Sequence, residues 1–249
     1  MNTHAWATIS LALSLLVLGL VLAAQWLLRR RREPLPAIRP LPAFQDLQNE
    51  VKRAAEHGKP IHIALGSGGL GGEDTITSLA GLQVVEALVD AAVAYDVPPI
   101  VTVGDPTLLP LAQDVLRRAY ERRDLAELYQ PSLVRFVAPT PVAYAAGAAH
   151  EIAVEDVMTN VIVGHFGPEV SLIADAGARL GLHQLAAAAA PTAVGALYPI
   201  TARLAVGEEL YAAGAQMTGE RRYLIGLTAQ DILRVMLVIA ILLLAVTQG

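Results

Sequence analysis

The residues best placed for chemistry in this 249-residue chain each follow a short apolar run. Gly66-Ser67-Gly68-Gly69-Leu70-Gly71 satisfies G-x-G-x-x-G. A loop of that kind, between a strand and a helix, lets backbone N–H groups approach a phosphate at the helix N-terminus. Asp105 and Thr107 follow a second run, Thr140 a third, His165 a fourth, and Glu208 with Glu209 a fifth. If these runs are parallel strands, all ten of Gly66, Ser67, Gly68, Gly69, Asp105, Thr107, Thr140, His165, Glu208 and Glu209 reach one edge of the sheet, where ligands of open α/β sheets collect.

Each of these residues also has a plainer reading. Five glycines in seven residues match the loop pattern by chance. No acidic residue ends a second strand about 20 positions later, as dinucleotide binding would need. Asp105 comes 39 positions after Gly66, and Asp90 falls within an expected helix. No Lys follows the loop in a P-loop pattern, and Glu73-Asp74 would repel a phosphate that they faced. Asp105-Pro106 and Thr140-Pro141 have the grammar of helix starts, and Glu208 and Glu209 suit a first helical turn. His165 needs a carboxylate or a second histidine to act as acid or ligand, and Asp105 or Glu208 could join it only through the fold. His62 reads as a satisfied core or interface residue. His57, His150 and His183 have no metal-ligand spacing, and Ser67 lacks a G-x-S-x-G elbow. No catalytic residue, metal site or cofactor is therefore assigned.

The elements that would position these residues alternate. Apolar runs at 61–65, 100–103, 134–138, 160–163 and 204–206 end in glycine, proline or a capping residue. A further run at 183–189 is rich in alanine, which suits a helix as well as a strand. Between them the spacing turns helical, with Leu79, Leu82, Val85, Val89 and Val93 on one face, and Leu108, Leu111, Val115 and Ala119 on another. Apolar strands alternating with such helices predict an α/β head, a Rossmann-like or flavodoxin-like parallel sheet of five or six strands. A helix near 42–57 precedes it, and another from about 221 follows.

Composition adds a second environment. Apolar residues make up 54% of the chain and charged residues 16%, with no cysteine. Residues 5–28 carry no charge, and Trp6 and Trp26 bracket a length of about 30 Å, the thickness of a bilayer core. Arg29-Arg30-Arg31-Arg32 follows at once. The arginines predict a retained anchor with the N-terminus outside and the head in the cytoplasm. Residues 29–40 read as a basic, proline-rich linker, and 41–228 as the head. The head holds 12 Lys+Arg against 21 Asp+Glu, so a phosphate backbone is a poor partner and nucleic-acid binding is not expected. Residues 232–247 predict a short second span, with Arg234 reaching for headgroups.

Gly66-Ser67-Gly68-Gly69-Leu70, Gly104-Asp105-Pro106-Thr107, Gly164-His165-Phe166-Gly167, Gly207-Glu208-Glu209 and Gln230-Asp231-Ile232-Leu233-Arg234 together resemble a bacterial membrane-anchored family described as a domain of unknown function. That resemblance implies an inner-membrane protein with an α/β head and carries no catalytic residues with it. The expectation is a non-enzymatic scaffold subunit of a membrane complex, which associates with copies of itself or with other membrane proteins. Small-residue stretches at 143–149 and 211–215 support close association. The alternative is a membrane-tethered sensor that binds a small anionic ligand or nucleotide at the 66–72 loop.

Overall fold

A computed structural model describes residues 40–218 continuously, together with ten separate helical positions at 19, 22, 23, 26, 231, 234, 235, 237, 238 and 241. The chain divides into two units, Pro40–Thr218 and the two ends Met1–Arg39 with Gly219–Gly249. Apart from those ten positions, the expected anchor, arginine run, linker, helix from 221 and second span lie outside the described residues. So do residues 219–228 of the expected head.

The Pro40–Thr218 unit is a doubly wound α/β fold. A 3-10 turn at Pro42–Phe44 leads into α1 (Leu47–His57), β1 (Ile61–Gly66), α2 (Thr75–Ala94), β2 (Pro99–Val103) and α3 (Leu109–Glu121). Then come β3 (Val134–Phe136), α4 (Pro141–Val154), β4 (Thr159–His165), α5 (Val170–Arg179), β5 (His183–Ala188), α6 (Pro191–Leu197), β6 (Arg203–Val206) and α7 (Glu208–Thr218). The six strands are all parallel, in the order β3-β2-β1-β4-β5-β6. This is the Rossmann order and not the flavodoxin one, and it reverses direction between β1 and β4. The run at 183–189 is a strand: Leu185, Ala186, Ala187 and Ala188 pair on both sides.

Period-2 alternation on the strands divides the core in two. Ile61, Ile63, Leu65, Val101, Val103, Val161 and Val163 face one cluster with α1, α2, α3 and α7. Ala64, Ile100, Ile162 and Ala186 face the other, with α4, α5 and α6. Each fully buried Leu, Ile or Val contributes about 1.5–3 kcal/mol relative to exposure.

Among the described residues, α2 is the one helix long and apolar enough to cross a membrane. It is a core helix. Val84, Val85, Leu88, Val89 and Ala92 are buried on it, and a Cβ on Gly81 would stand 3.0 Å from Gly164 Cα on β4. The expected apolar face of α2 is right at Val85, Val89 and Val93, while Leu79 at its start is exposed. On α3 the expected Leu108 and Ala119 are buried, together with Ala112, Leu116 and Tyr120, while the expected Leu111 and Val115 are only partly so.

Candidate functional site

The carboxyl edge of the sheet gathers most of the residues singled out above. β1 ends in Gly66, whose φ of +89° belongs to the left-handed region, and a Cβ there would overlap the His165 carbonyl. The loop beyond it threads between two side chains. A Cβ on Gly68 would lie 2.5 Å from His165 Cβ, and one on Gly69 would collide with the Asp105 carboxylate. The two adjacent glycines are therefore required by the residues on either side of them.

The loop's own hydrogen bonds decide what it can offer a ligand. Gly66 N–H donates to the Tyr144 hydroxyl at 3.1 Å, and Ser67 N–H to the His165 carbonyl at 3.0 Å. Leu70 N–H donates to Thr107 Oγ1 at 2.9 Å. Gly71 N–H and Gly72 N–H both donate to Thr75 Oγ1, at 2.9 and 3.2 Å. Five N–H groups that could have faced a phosphate are held by the protein itself. The surroundings are also anionic. The loops after the six strands contain no Lys or Arg, and Glu73, Asp74, Asp105, Glu169, Glu208 and Glu209 lie in them or just beyond.

Asp105 does not cap a helix, contrary to the Asp-Pro reading. α3 begins at Leu109, and Asp105 instead closes the turn before it, where Oδ1 accepts from Thr107 N–H at 2.8 Å and from the Thr107 hydroxyl. Thr107 thereby links Asp105 to the glycine loop. His165 Nε2 lies 3.3 Å from Asp74 Oδ1, so its carboxylate neighbour is neither Asp105 nor Glu208 but a residue of the segment that leads into α2. Thr140 stands at the N-cap of α4 ahead of Pro141, as expected, with no hydrogen bond from its side chain to the helix start. Glu208 and Glu209 occupy the first turn of α7, and Glu209 Oε2 accepts from Val206 N–H at 3.0 Å. Among the described residues no group of three His, Asp or Glu side chains could hold a metal ion.

Behind the loop runs a buried polar chain in which His62 is the satisfied core residue expected, while Gln184, Asn160, Thr102 and Tyr144 were not singled out from the sequence. Gln184 Nε2 donates to the Ala174 carbonyl at 2.8 Å, and Asn160 Nδ2 donates to Gln184 Oε1 at 2.9 Å. Asn160 Oδ1 meets His62 Nδ1 at 2.9 Å, and His62 Nε2 meets Thr102 Oγ1 at 3.0 Å. Thr102 Oγ1 lies 3.2 Å from the Tyr144 hydroxyl, which accepts from Gly66 N–H. The Ala174 end fixes the donors from Gln184 to Thr102. A carbonyl at Ala174 demands the Gln184 amide nitrogen, which turns Gln184 Oε1 to Asn160 and so Asn160 Oδ1 to His62. His62 therefore carries its proton on Nδ1, and Thr102 donates to Nε2. At the other end Gly66 N–H can only donate to Tyr144, whose hydroxyl proton goes to Thr102, with Oγ1 and the backbone carbonyl both 3.2 Å away. All donors point from the glycine loop toward α5.

Burial holds this chain neutral. Desolvation pushes the His62 imidazole down to about 4, against the opposing pull of its Asn160 hydrogen bond. The Tyr144 phenol is pushed up to about 12 by burial. Two glycines make room for the chain: a Cβ on Gly177 would overlap Gln184 Oε1, and one on Gly104 would stand 2.9 Å from Tyr144 Cγ. A sequence signal existed. His62, Asn160 and Gln184 are each the second residue of their strand, ahead of an apolar run, and they share one register across β1, β4 and β5.

The family described as a domain of unknown function (DUF6754) matches residues 1–248, and the chain belongs to it. No curated protein and no solved structure matches the chain.

Proposed function

We propose that this chain is a membrane-anchored structural or scaffold subunit of a homo-oligomeric complex in a bacterial inner membrane. Its N-terminus lies outside and its acidic α/β head in the cytoplasm. The observation that carries this reading is how the head begins and ends. Leu41 N–H donates to Gln216 Oε1 at 2.6 Å, and Gln216 Nε2 donates back to the Leu41 carbonyl at 3.4 Å. The chain thus enters and leaves the head at one point, which suits a domain tethered by an apolar segment at each end. Charge-free residues 5–28, the arginines at 29–32 and the apolar run 235–246 supply the tethers.

The second reading, a sensor for a small anionic ligand, has the Ser78 hydroxyl in its favour. That group is buried near Gly68 with no hydrogen-bond partner among the described residues. Against it stand the five occupied N–H groups and the acidic edge, so the scaffold reading is the better supported. Multi-angle light scattering of the detergent-solubilised chain tests it. The scaffold predicts a discrete oligomer that persists on dilution. A monomer at every concentration that also captures no membrane partner contradicts it.

A further inference from the structure

The polypeptide enters and leaves the head at the amino edge of the sheet, opposite the glycine loop. α7 runs alongside α2 in the same direction. The Tyr211 hydroxyl meets Thr77 Oγ1 at 3.3 Å in the first turn of α2, and a Cβ on Gly214 would stand 3.0 Å from Gln83 Cβ. Gln216 and Met217 share a groove with Ala87 and Ala91 near the end of α2. α2 returns to the amino edge before β2 begins, so α7 does too, and Thr218 ends there. Leu41, bonded to Gln216, is held at the same place. Residues 1–39 and 219–249, which hold the two apolar tethers, therefore join the head at this edge.

The same edge carries an exposed apolar side chain at five successive returns from helix to strand. Tyr95 follows α2, Leu128 lies in the connection after α3, Val154 ends α4, Leu180 follows α5 and Tyr198 follows α6. These side chains are 45–79% exposed, Tyr198 the most. Lys52 Nζ stands 5.8 Å from the centre of the Tyr95 ring.

Charge separates the two edges. The carboxyl edge also exposes apolar residues, Ile76 and Val142 among them, but its six carboxylates have no Lys or Arg beside them. The amino edge mixes both signs, with Lys59, Arg122, Arg123, Arg179 and Arg203 among its acids. A surface of anionic lipid repels the first edge far more than the second. Tyrosine also favours the headgroup level, and leucine and valine the boundary with the acyl chains.

We propose that the amino edge of the head lies against the lipid surface, with these five side chains at the headgroup level and the glycine loop turned away. The inference rests on the anchored reading above and adds the face that meets the lipid. Five separated side chains bind lipid weakly by themselves, but a tethered head meets the membrane at an effective concentration on the order of millimolar.

Fluorescence quenching in vesicles tests it. Leu180→Cys and Tyr198→Cys on the amino edge, and Ile76→Cys and Val142→Cys on the carboxyl edge, each give the cysteine-free chain one site for an NBD label. All four positions are exposed, so the core is left intact. The full chain is reconstituted in phosphatidylethanolamine–phosphatidylglycerol vesicles, with and without a lipid that carries a shallow doxyl quencher. The expected result is loss of about half the emission at positions 180 and 198, at a depth of about 5–10 Å, and none at 76 and 142. Suppose the chain floats with the vesicles after carbonate washing. Equal quenching at all four positions, or none at 180 and 198, then overturns the proposal and leaves the anchor standing. A blue shift at 198 without quenching means that a second copy covers the edge, and it overturns the proposal as well. A chain that carbonate strips from the vesicles refutes the anchor, and this orientation with it.

Discussion

Asn160 Oδ1 accepts from His62 Nδ1 at 2.9 Å, across the strand pair where the sheet order reverses. The two residues stand at the same register on β4 and β1. Their bond joins the Gln184 half of the buried chain to the Thr102–Tyr144 half, which ends on the backbone of the glycine loop. A fully satisfied buried network of this kind specifies one arrangement, and losing one member strands its neighbours.

Tyr144→Phe removes the acceptor of Gly66 N–H and the donor to Thr102. It should lower stability by about 1–3 kcal/mol in chemical denaturation. Thr102→Val should do the same. The double variant should lose less than the sum of the two, because both act on one chain. Strict additivity would show that the two residues are not coupled.

The His62 imidazole is held at about 4, below its ordinary 6.5. Above pH 6.5 it is neutral in both folded and unfolded chains and stability is complete. As pH falls from 6.5 toward 4, the unfolded chain takes up a proton that the folded one refuses. Stability is then lost at up to about 1.4 kcal/mol per pH unit, levelling off below pH 4. NMR titration should find no protonation of this ring above pH 5 in the folded head. A midpoint near 6.5 would contradict its burial.

The loop glycines should separate by cause. Gly71 has φ +94° with open space around its Cβ position, so Gly71→Ala pays only backbone strain, about 1–3 kcal/mol. Gly66→Ala adds an overlap with the His165 carbonyl and should cost more than about 4 kcal/mol or prevent folding. Equal melting temperatures for the two variants would refute this division.

Gln216→Ala removes both bonds to Leu41. Hydrogen exchange at the Leu41 amide should accelerate by about tenfold, with little change in the midpoint of global unfolding, since local opening there exposes no core strand. Unchanged exchange would mean that the two ends are held together by something else.

The alternation of apolar strands and amphipathic helices made the parallel sheet legible in the sequence, because glycine and proline punctuate nearly every strand end. Strand order was not legible. Nothing local in Ile61–Gly66 or Thr159–His165 states that they are neighbours, so Rossmann and flavodoxin orders remained open. The alanine run of β5 was ambiguous because alanine suits a helix, and its strand pairing on both sides overrides that preference. At the candidate site, the glycine loop, Asp105, Thr107 and His165 were legible as a cluster because all follow strands. Asp74 as the partner of His165 was not, since it depends on how α2 starts. Tyr144 and Thr102 were hidden for the same reason, because a helix-borne hydroxyl meets a strand only in three dimensions.

The central claim, a cytoplasmic head held by a membrane anchor, is tested most directly by cysteine labelling, because the chain has no native cysteine. Single variants Thr3→Cys and Glu127→Cys, the latter on the exposed surface of the head, should be treated with a membrane-impermeant maleimide in intact spheroplasts. The account predicts that Thr3→Cys is labelled at once and Glu127→Cys only after the membrane is opened. Labelling of Glu127→Cys in sealed spheroplasts would contradict it.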